Sequence, residues 1–330
     1  MTFDPSSPVD ASHFSAVGPC PVLVSAATDA VATETQAVRI GVDLDASLTC
    51  SDPDAFDILV TSRIDAPAPW SIVPAGSPAA HADALADRVR QFPVAATILA
   101  RVLRMSAHLP FNDALYLESL AYSTLLGGHE FGGWLEKRRP SPDTDCASAD
   151  LVGLEREADH IVLTLNNPEQ GNPMTAAMRD ALYNALANVL DDPSKPTVQI
   201  IGAGRSFSTG GHLPEFGQAR DLAAAHVVRT VHGCARLIHQ LGDRASVLFY
   251  GAAIGSGLEV PAAAARREAT AEAWFQLPEL SMGLIPGAGG TVSVARAIGR
   301  HRTMWLATSG KRVNARQALQ IGLIHAIVAP

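Results

Sequence analysis

The spacing of apolar positions changes twice along the chain. Residues 1–50 are rich in Ala, Ser, Val and Pro and have little periodicity, with one strand expected near Val38–Val42. The run FDILV at 56–60 reads as a buried strand, and the proline-punctuated stretch 67–78 reads as a loop. Residues 1–78 are therefore an extension without a clear pattern. From Ala79 to about Arg139 the spacing turns helical. Leu85, Val89 and Phe92 share one face. Ile98, Val102 and Met105 form a second, ended by Pro110, and Leu115, Leu117, Leu120 and Tyr122 form a third. Gly127-Gly128 breaks the pattern before a short last helix at Phe131–Arg138. The segment 79–140 is thus a helical unit, and the polar, turn-rich residues 141–150 are a linker.

Beyond the linker, strands and helices alternate over 151–330, which predicts an α/β fold. Strands are expected at His160–Leu165, Thr197–Ile201 and 246–250. Thr175 is placed to cap a helix carrying Met178, Leu182, Leu186 and Val189 at helical spacing. Further helices are expected over 221–241, 256–264, 288–298 and 301–308. The last, Asn314–Ile321, has Asn as its cap and Gly322 as its stop.

The chain has 330 residues, 47% hydrophobic and 18% charged, enough apolar material for a sizeable core. The net charge of −8 and the lack of a Lys/Arg stripe argue against nucleic acid. Cys20, Cys50, Cys146 and Cys234 are scattered, without the spacing of a zinc site or redox dithiol, which fits a cytoplasmic setting. The N-terminus lacks the basic residues of a targeting peptide. The apolar stretch 245–265 carries Glu259 and Pro261, and its uncharged run falls short of the ~20 residues a membrane span needs. His129-Glu130 has no second His to make a zinc motif. Ile254 stands where a nucleophile elbow needs glycine, and no phosphate-binding GxxxxGK[ST] occurs.

Two glycine loops follow two buried strands. The first spans Gly204–Leu213 and the second Tyr250–Glu259. Glycine lets backbone N–H groups approach a ligand, and the second loop opens a helix whose dipole favours negative charge. Two N–H groups from separate loops can form an oxyanion hole. Glu259 lies three residues after Ser256, on the first helical turn. Glu279 follows twenty residues later, behind Pro278, and a glycine-rich stretch, Gly283–Thr291, comes next. Two carboxyls in one apolar pocket cannot both ionise freely, so one should hold a proton and supply an acid beside a base.

In this order the residues resemble the enoyl-CoA hydratase/isomerase (crotonase) superfamily. The family's FxxGxDL, GxxxGxGxE, PE and GxxPGxGGT patterns are matched by FSTGGHL, GAAIGSGLE, LPEL and GLIPGAGGT, and its closing motif by ATSGKRVNARQALQIGLIHAIV. The resemblance covers about Leu151–Val328. It implies a ββα spiral core and an acyl-CoA thioester as substrate, with coenzyme A as part of that substrate and no separate cofactor or metal. Gly211 and Ser256 would give the oxyanion-hole N–H groups, and Glu259 and Glu279 the acid/base pair, with their order open. Gly210, His212, Gly255, Gly257, Pro286 and Gly287 would lie against the substrate or its CoA part. The implied reaction is syn addition of water to a 2-enoyl thioester, or its reverse. Alternatives are double-bond isomerisation by Glu279 alone and acyl-CoA binding without catalysis. His212 for Asp, Ser256 for Gly, Ala265 for Asp and the pair Arg266-Arg267 depart from the family pattern.

Family members usually continue beyond the closing motif into helices that cover the acyl pocket and build a trimer. Here residues 79–140 resemble that tail, down to the ending Glu136-Lys137-Arg138-Arg139-Pro140. The expectation is a circularly permuted member of the superfamily, assembling as a homotrimer or a dimer of trimers.

Overall fold

The structure is a computed structural model that describes residues 12–29, 35–73, 77–138 and 150–329. Its N-terminal part is better organised than the weak periodicity predicts. Strands β1 (Val22–Ala26), β2 (Val38–Val42), β3 (Ile58–Thr61) and β4 (Ser71–Ile72) form a parallel sheet in that order. The strand expected near Val38–Val42 is there. The one expected at 56–60 sits slightly later, and β4 lies in a stretch read as loop. Strands β2 and β3 are buried along their whole length. Parallel strands covered on both faces lose the in/out alternation that marks a strand. Arg39 interrupts the apolar run of β2. It is buried beside Asp57, whose carboxylate also accepts from Arg104 Nε at 2.6 Å.

Helices α1 (Pro78–Gln91), α2 (Pro93–Ser106), α3 (Phe111–Leu126) and α4 (His129–Lys137) follow. Proline opens α1 and α2, where its missing N–H costs nothing. Both carboxylate oxygens of Glu130 on α4 cap α2, accepting from Val94 and Ala95 N–H at 2.8 and 3.0 Å. The buried faces differ from the predicted stripes. Met105 and Leu120 are exposed, whereas α3 buries Phe111, Ala114, Glu118, Ser119 and Leu125. This helix meets its neighbours through polar as well as apolar groups, and the polar ones are not revealed by apolar spacing.

The C-terminal part begins with β5 (Val152–Glu157), antiparallel to β6 (His160–Leu165), then α5 (Ala176–Asp191) and β7 (Thr197–Gly202). Next come α6 (Leu222–Val231), α7 (Cys234–Leu241), β8 (Ala245–Phe249), β9 (Ala252–Ile254) and α8 (Ser256–Glu259). The chain continues through β10 (Arg266–Ala269), β11 (Trp274–Gln276), α9 (Gly290–Ile298) and α10 (Arg300–Ser309). It closes with β12 (Val313–Asn314), α11 (Ala315–Ile321) and β13 (Ala326–Ile327). One sheet runs β13-β10-β8-β7-β6-β5 and a smaller one β12-β11-β9. Gly251, at φ +53°, turns the chain from β8 in the first sheet to β9 in the second. The helix expected over 221–241 is broken at His232-Gly233. The one expected near 256–264 is a single turn, because Pro261 lacks the N–H to continue it. Thr175 Oγ1 accepts from Met178 N–H, Asn314 and Gln317 form a reciprocal cap, and Gly322 stops α11 at φ +85°.

The helical unit lies between the two ends of the chain. α1 packs on β1 and β2, whereas α2 and α3 pack on α9, and α3 on α6. Three consecutive residues of α10 fasten the N-terminal sheet to the rest. Arg300 donates to Phe56 C=O at 2.8 Å, His301 Nε2 to Pro53 C=O at 2.9 Å, and Arg302 to Trp70 and Ala66 C=O at 2.8 and 3.0 Å. Burial pushes the His301 imidazole down to about 4, so it is neutral at pH 7. The linker expected at 141–150 lies outside the described residues except for Asp150.

Asn172 ties the loop after β6 to the loop after β7. It is fully buried. Its Nδ2 donates to the carbonyls of Ala203, Ser206 and Phe207 at 2.8, 3.0 and 3.1 Å, and its Oδ1 accepts from Asn167 N–H at 2.8 Å. A buried group left unpaired costs about 1–3 kcal/mol. Asn172→Ala is expected to lower stability by about 3 kcal/mol or more in urea unfolding. A loss below about 1 kcal/mol would show that the tie carries little.

Candidate active site

The two glycine loops are stitched together. Ser208 N–H donates to Ala252 C=O at 3.0 Å, and Ile254 N–H to Ser208 C=O at 3.1 Å. Close approach requires glycine at three points. A Cβ on Gly257 would lie 2.6 Å from the Ser208 side chain, and one on Gly210, at φ +90°, would lie 2.5 Å from Ile254 C=O. Gly255, at φ +49°, sits between the two carboxyls. A Cβ there would be 2.5 Å from Glu279 Oε1 and 3.9 Å from Glu259 Oε1.

Beside these loops lies a cavity of about 520 Å³. Gly211, Ser256, Glu259, Glu279 and Gly287 line it, so five of the residues singled out in the sequence come together. Gly210, His212, Gly255, Gly257 and Pro286 are outside its lining. The glycines among them shape the loops from behind. His212 instead faces Glu215, its Nδ1 3.8 Å from Oε1, and Pro286 backs Gly290.

Glu259, on the single turn of α8, is 2% exposed. Its Oε2 accepts from Ala288 N–H at 2.7 Å and from Gly290 N–H at 3.1 Å. Glu279, 6% exposed, opens a turn after Pro278, and its Oε2 has no hydrogen-bond partner among the described residues. Burial pushes both carboxyls up, Glu279 to about 8 and Glu259 well above its usual range, the latter helped by the charges of Glu279 and Glu118. The two compete for protons. The N–H pair on Glu259 favours its charged form, but burial and the charges of Glu279 and Glu118 outweigh it, so the pair holds a proton between them.

Among the further lining residues outside the motifs, three stand out. Glu118 and Tyr122 are one turn apart on α3, and Arg229 on α6 stands with its guanidinium carbon 5.0 Å from the Tyr122 ring centre. Glu118 is 2% exposed and accepts from Gly289 N–H, Thr291 N–H and Thr291 Oγ1 at 2.7, 2.8 and 2.6 Å. A signal for it existed. Phe111, Ala114, Glu118 and Leu125 share one helix face, so a carboxylate stands in an apolar stripe. Cys234 also lines the cavity, but burial pushes its thiol up to about 12. Among the described residues no group of His, Cys, Asp and Glu is arranged to hold a metal ion.

The family model described as enoyl-CoA hydratase/isomerase matches residues 155–330. The chain belongs to that family. The 2,3-dehydroadipyl-CoA hydratase of Escherichia coli K12 is 32% identical over 171 residues, covering 52% of this chain and 66% of that protein. The short-chain-enoyl-CoA hydratase of Clostridium acetobutylicum is 27% identical over 180 residues, covering 54% of this chain and 69% of that protein. Among solved structures, the enoyl-CoA hydratase from Thermoplasma volcanium superposes with a TM-score of 0.50 at 31% identity, covering 54% of this chain and 71% of that one. The chain thus spans about two thirds of these relatives, and they span about half of it. Glu118 and Tyr122 precede the family match. Among the described residues no helix is long and apolar enough to cross a membrane.

A carboxyl whose folded pKa is raised contributes stability below its unfolded value of about 4.5, and this is lost as pH rises through the folded value, here about 8. Wild type is therefore expected to lose thermal stability between about pH 5 and pH 8, with little further loss from this group above that. Glu279→Gln, which cannot ionise, should lose distinctly less. Parallel melting-temperature curves for the two proteins would show that Glu279 does not titrate as described.

Proposed function

We propose that the protein adds water to the double bond of a 2-enoyl-CoA thioester, or removes water from the 3-hydroxyacyl product. The unequal hydrogen bonding of the two buried glutamates carries this reading. Hydration needs an ionised base and a protonated acid side by side. The two N–H donors on Glu259 offset part of the burial and repulsion that raise it, which makes it the candidate base that takes a proton from water. Glu279, with Oε2 unpartnered, is suited to keep a proton and deliver it. The water oxygen bonds to C3, the Glu279 proton goes to C2, and the proton from water remains on Glu259. Dehydration is the same path reversed.

The enolate formed between these steps needs charge stabilisation. Gly211 and Ser256 are assigned to it as N–H donors, because both line the cavity while their neighbours make the loop bonds. Met174 N–H goes to Gly210 C=O, and Gly255 N–H to Gln276 C=O. Ser256 is the first residue of α8, where a helical N–H has no intrahelical partner. One such donor is worth about 3 kcal/mol in the transition state. Coenzyme A enters as part of the substrate. Isomerisation by Glu279 alone would leave the pair of N–H groups on Glu259 without a chemical purpose.

The same reading assigns 79–138 the role of the family's closing helices, placed ahead of the core. Packing supports it. A Cβ on Gly287 would lie 2.3 Å from Tyr122 Cδ2, and one on Gly283 would lie 2.6 Å from Glu130 Cβ. α3 and α4 therefore close directly on the loops that carry the glutamates. Assembly as a homotrimer, or a dimer of trimers, is part of this reading and is measured by light scattering.

The test offers short and long 2-enoyl-CoAs and 3-enoyl-CoAs to wild type, Glu259→Gln and Glu279→Gln. Wild type should hydrate 2-enoyl-CoA, with kcat falling as pH rises past about 8. Each substitution should lower kcat by about 10²-fold or more while acyl-CoA binding persists. Turnover of 3-enoyl-CoA alone, abolished only by Glu279→Gln, would favour the isomerase. Tight binding without turnover of either substrate would favour a binding protein.

A further inference from the structure

The start of α9 presents four successive backbone N–H groups, and two carboxylates share them alternately. Ala288 and Gly290 donate to Glu259, and Gly289 and Thr291 donate to Glu118. The Thr291 hydroxyl adds a fifth bond, to Glu118 Oε2 at 2.6 Å. Glu259 belongs to the core, whereas Glu118 belongs to α3, ahead of the residues that match the family. One short segment therefore registers two parts of the chain against each other at the cavity wall.

A strut between helix and loop does not require a charge. Burying a carboxylate costs several kcal/mol unless it is paired and hydrogen-bonded. α3 has other anchors. Arg229 Nε donates to Ser119 Oγ at 3.2 Å, and the Phe111 ring stacks on His239 with centres 3.9 Å apart. The carboxylate at 118 thus has a use beyond attachment.

We propose that Glu118 is a positioning residue for the acid/base pair: by holding the N–H groups of Gly289 and Thr291, it aims those of Ala288 and Gly290 at Glu259. The role in catalysis rests on the hydratase reading above. A second consequence is electrostatic. All three bonds to Glu118 come from donors, which favours its ionised form, although burial pushes the group up to about 7. When charged, it opposes ionisation of Glu259 and Glu279 and so keeps a proton within the pair. The groups around it are few. Glu259 and Glu279 face it from the core, Tyr122 from the next turn of α3, and Arg229 from α6 as the nearby cation. His226 of α6 bonds Ser119, and Arg296 of α9 turns away to Leu109 C=O and the Phe111 ring.

The test compares wild type, Glu118→Gln, Glu118→Asp and Thr291→Val. Carboxyl titrations of Glu259 and Glu279 are followed by ¹³C NMR without substrate, alongside kcat and KM against pH for 2-enoyl-CoA hydration. Glu118→Gln removes the charge. It should shift the pair's titration down by about one pH unit and lower kcat about tenfold or more, with KM within about threefold. Glu118→Asp keeps the charge but shortens the reach, so the titration should stay nearer wild type while kcat falls. Thr291→Val removes one donor and should give a smaller change in the same direction as Glu118→Asp. If Glu118→Gln does not fold, the other two variants carry the same comparison. Unchanged titration with unchanged kcat would overturn the proposal. So would a loss of activity that only tracks the loss of folded protein. If wild type turns over no 2-enoyl-CoA, the hydratase reading falls, while the NMR titrations still decide whether Glu118 acts on the pair.

Discussion

Burying three carboxyl groups around one cavity is the constraint that the rest of the structure serves. Each would prefer water, and each raises the cost of ionising the others. The structure offsets this with backbone N–H groups at the start of α9, two given to Glu259 and two to Glu118. Among the described residues Glu279 Oε2 has no donor, and the ionised form of its carboxyl is favoured only by its own backbone. In the proposed hydratase reading, that inequality is what distinguishes two chemically identical side chains. It depends on the glycine-rich segment 287–290, because a side chain at Gly287 or Gly290 would collide with Tyr122 or with Glu259 itself.

The glycine loops meet a second requirement, close backbone approach. Gly210 and Gly257 let the loop after β7 lie against the loop after β8, and Gly255 leaves room for both carboxyls. These glycines stand behind the cavity rather than in its lining, yet they set where Gly211 and Ser256 come to rest. Asn172 holds the same arrangement from the other side by bonding three carbonyls of the first loop. The backbone of both loops is thereby held in place from two sides, which the proposed charge stabilisation would need.

The N-terminal sheet and the helical unit complete this frame. Arg300, His301 and Arg302 bind the carbonyls of the N-terminal part, so α10, which packs on α9, also carries that sheet. α1 and α2 bridge the sheet to the core, and α3 reaches the cavity. The cavity is thus lined by residues from 112 to 289, although the family match begins only at 155.

Features governed by local rules were readable in the sequence. The strand His160–Leu165 alternates in and out, Thr175 and Asn314 cap their helices, and Gly322 ends the last one. The resemblance to the family implied that Glu259, Glu279, Gly211 and Ser256 share one site, and all four line the cavity. Of the N-terminal sheet, β2 and β3 were readable as apolar runs, but β1, β4 and their assembly into one parallel sheet were not, because strand pairing is not written in local spacing and β2 and β3, buried on both faces, show no alternation. Only the tertiary structure brought Glu118 into the site. Its partners lie 171 and 173 positions away, and no local pattern encodes which backbone N–H groups a buried carboxylate will meet. What distinguishes Glu259 from Glu279 was decided at the same level. Identical side chains differ through the burial, charges and donors that folding places around each.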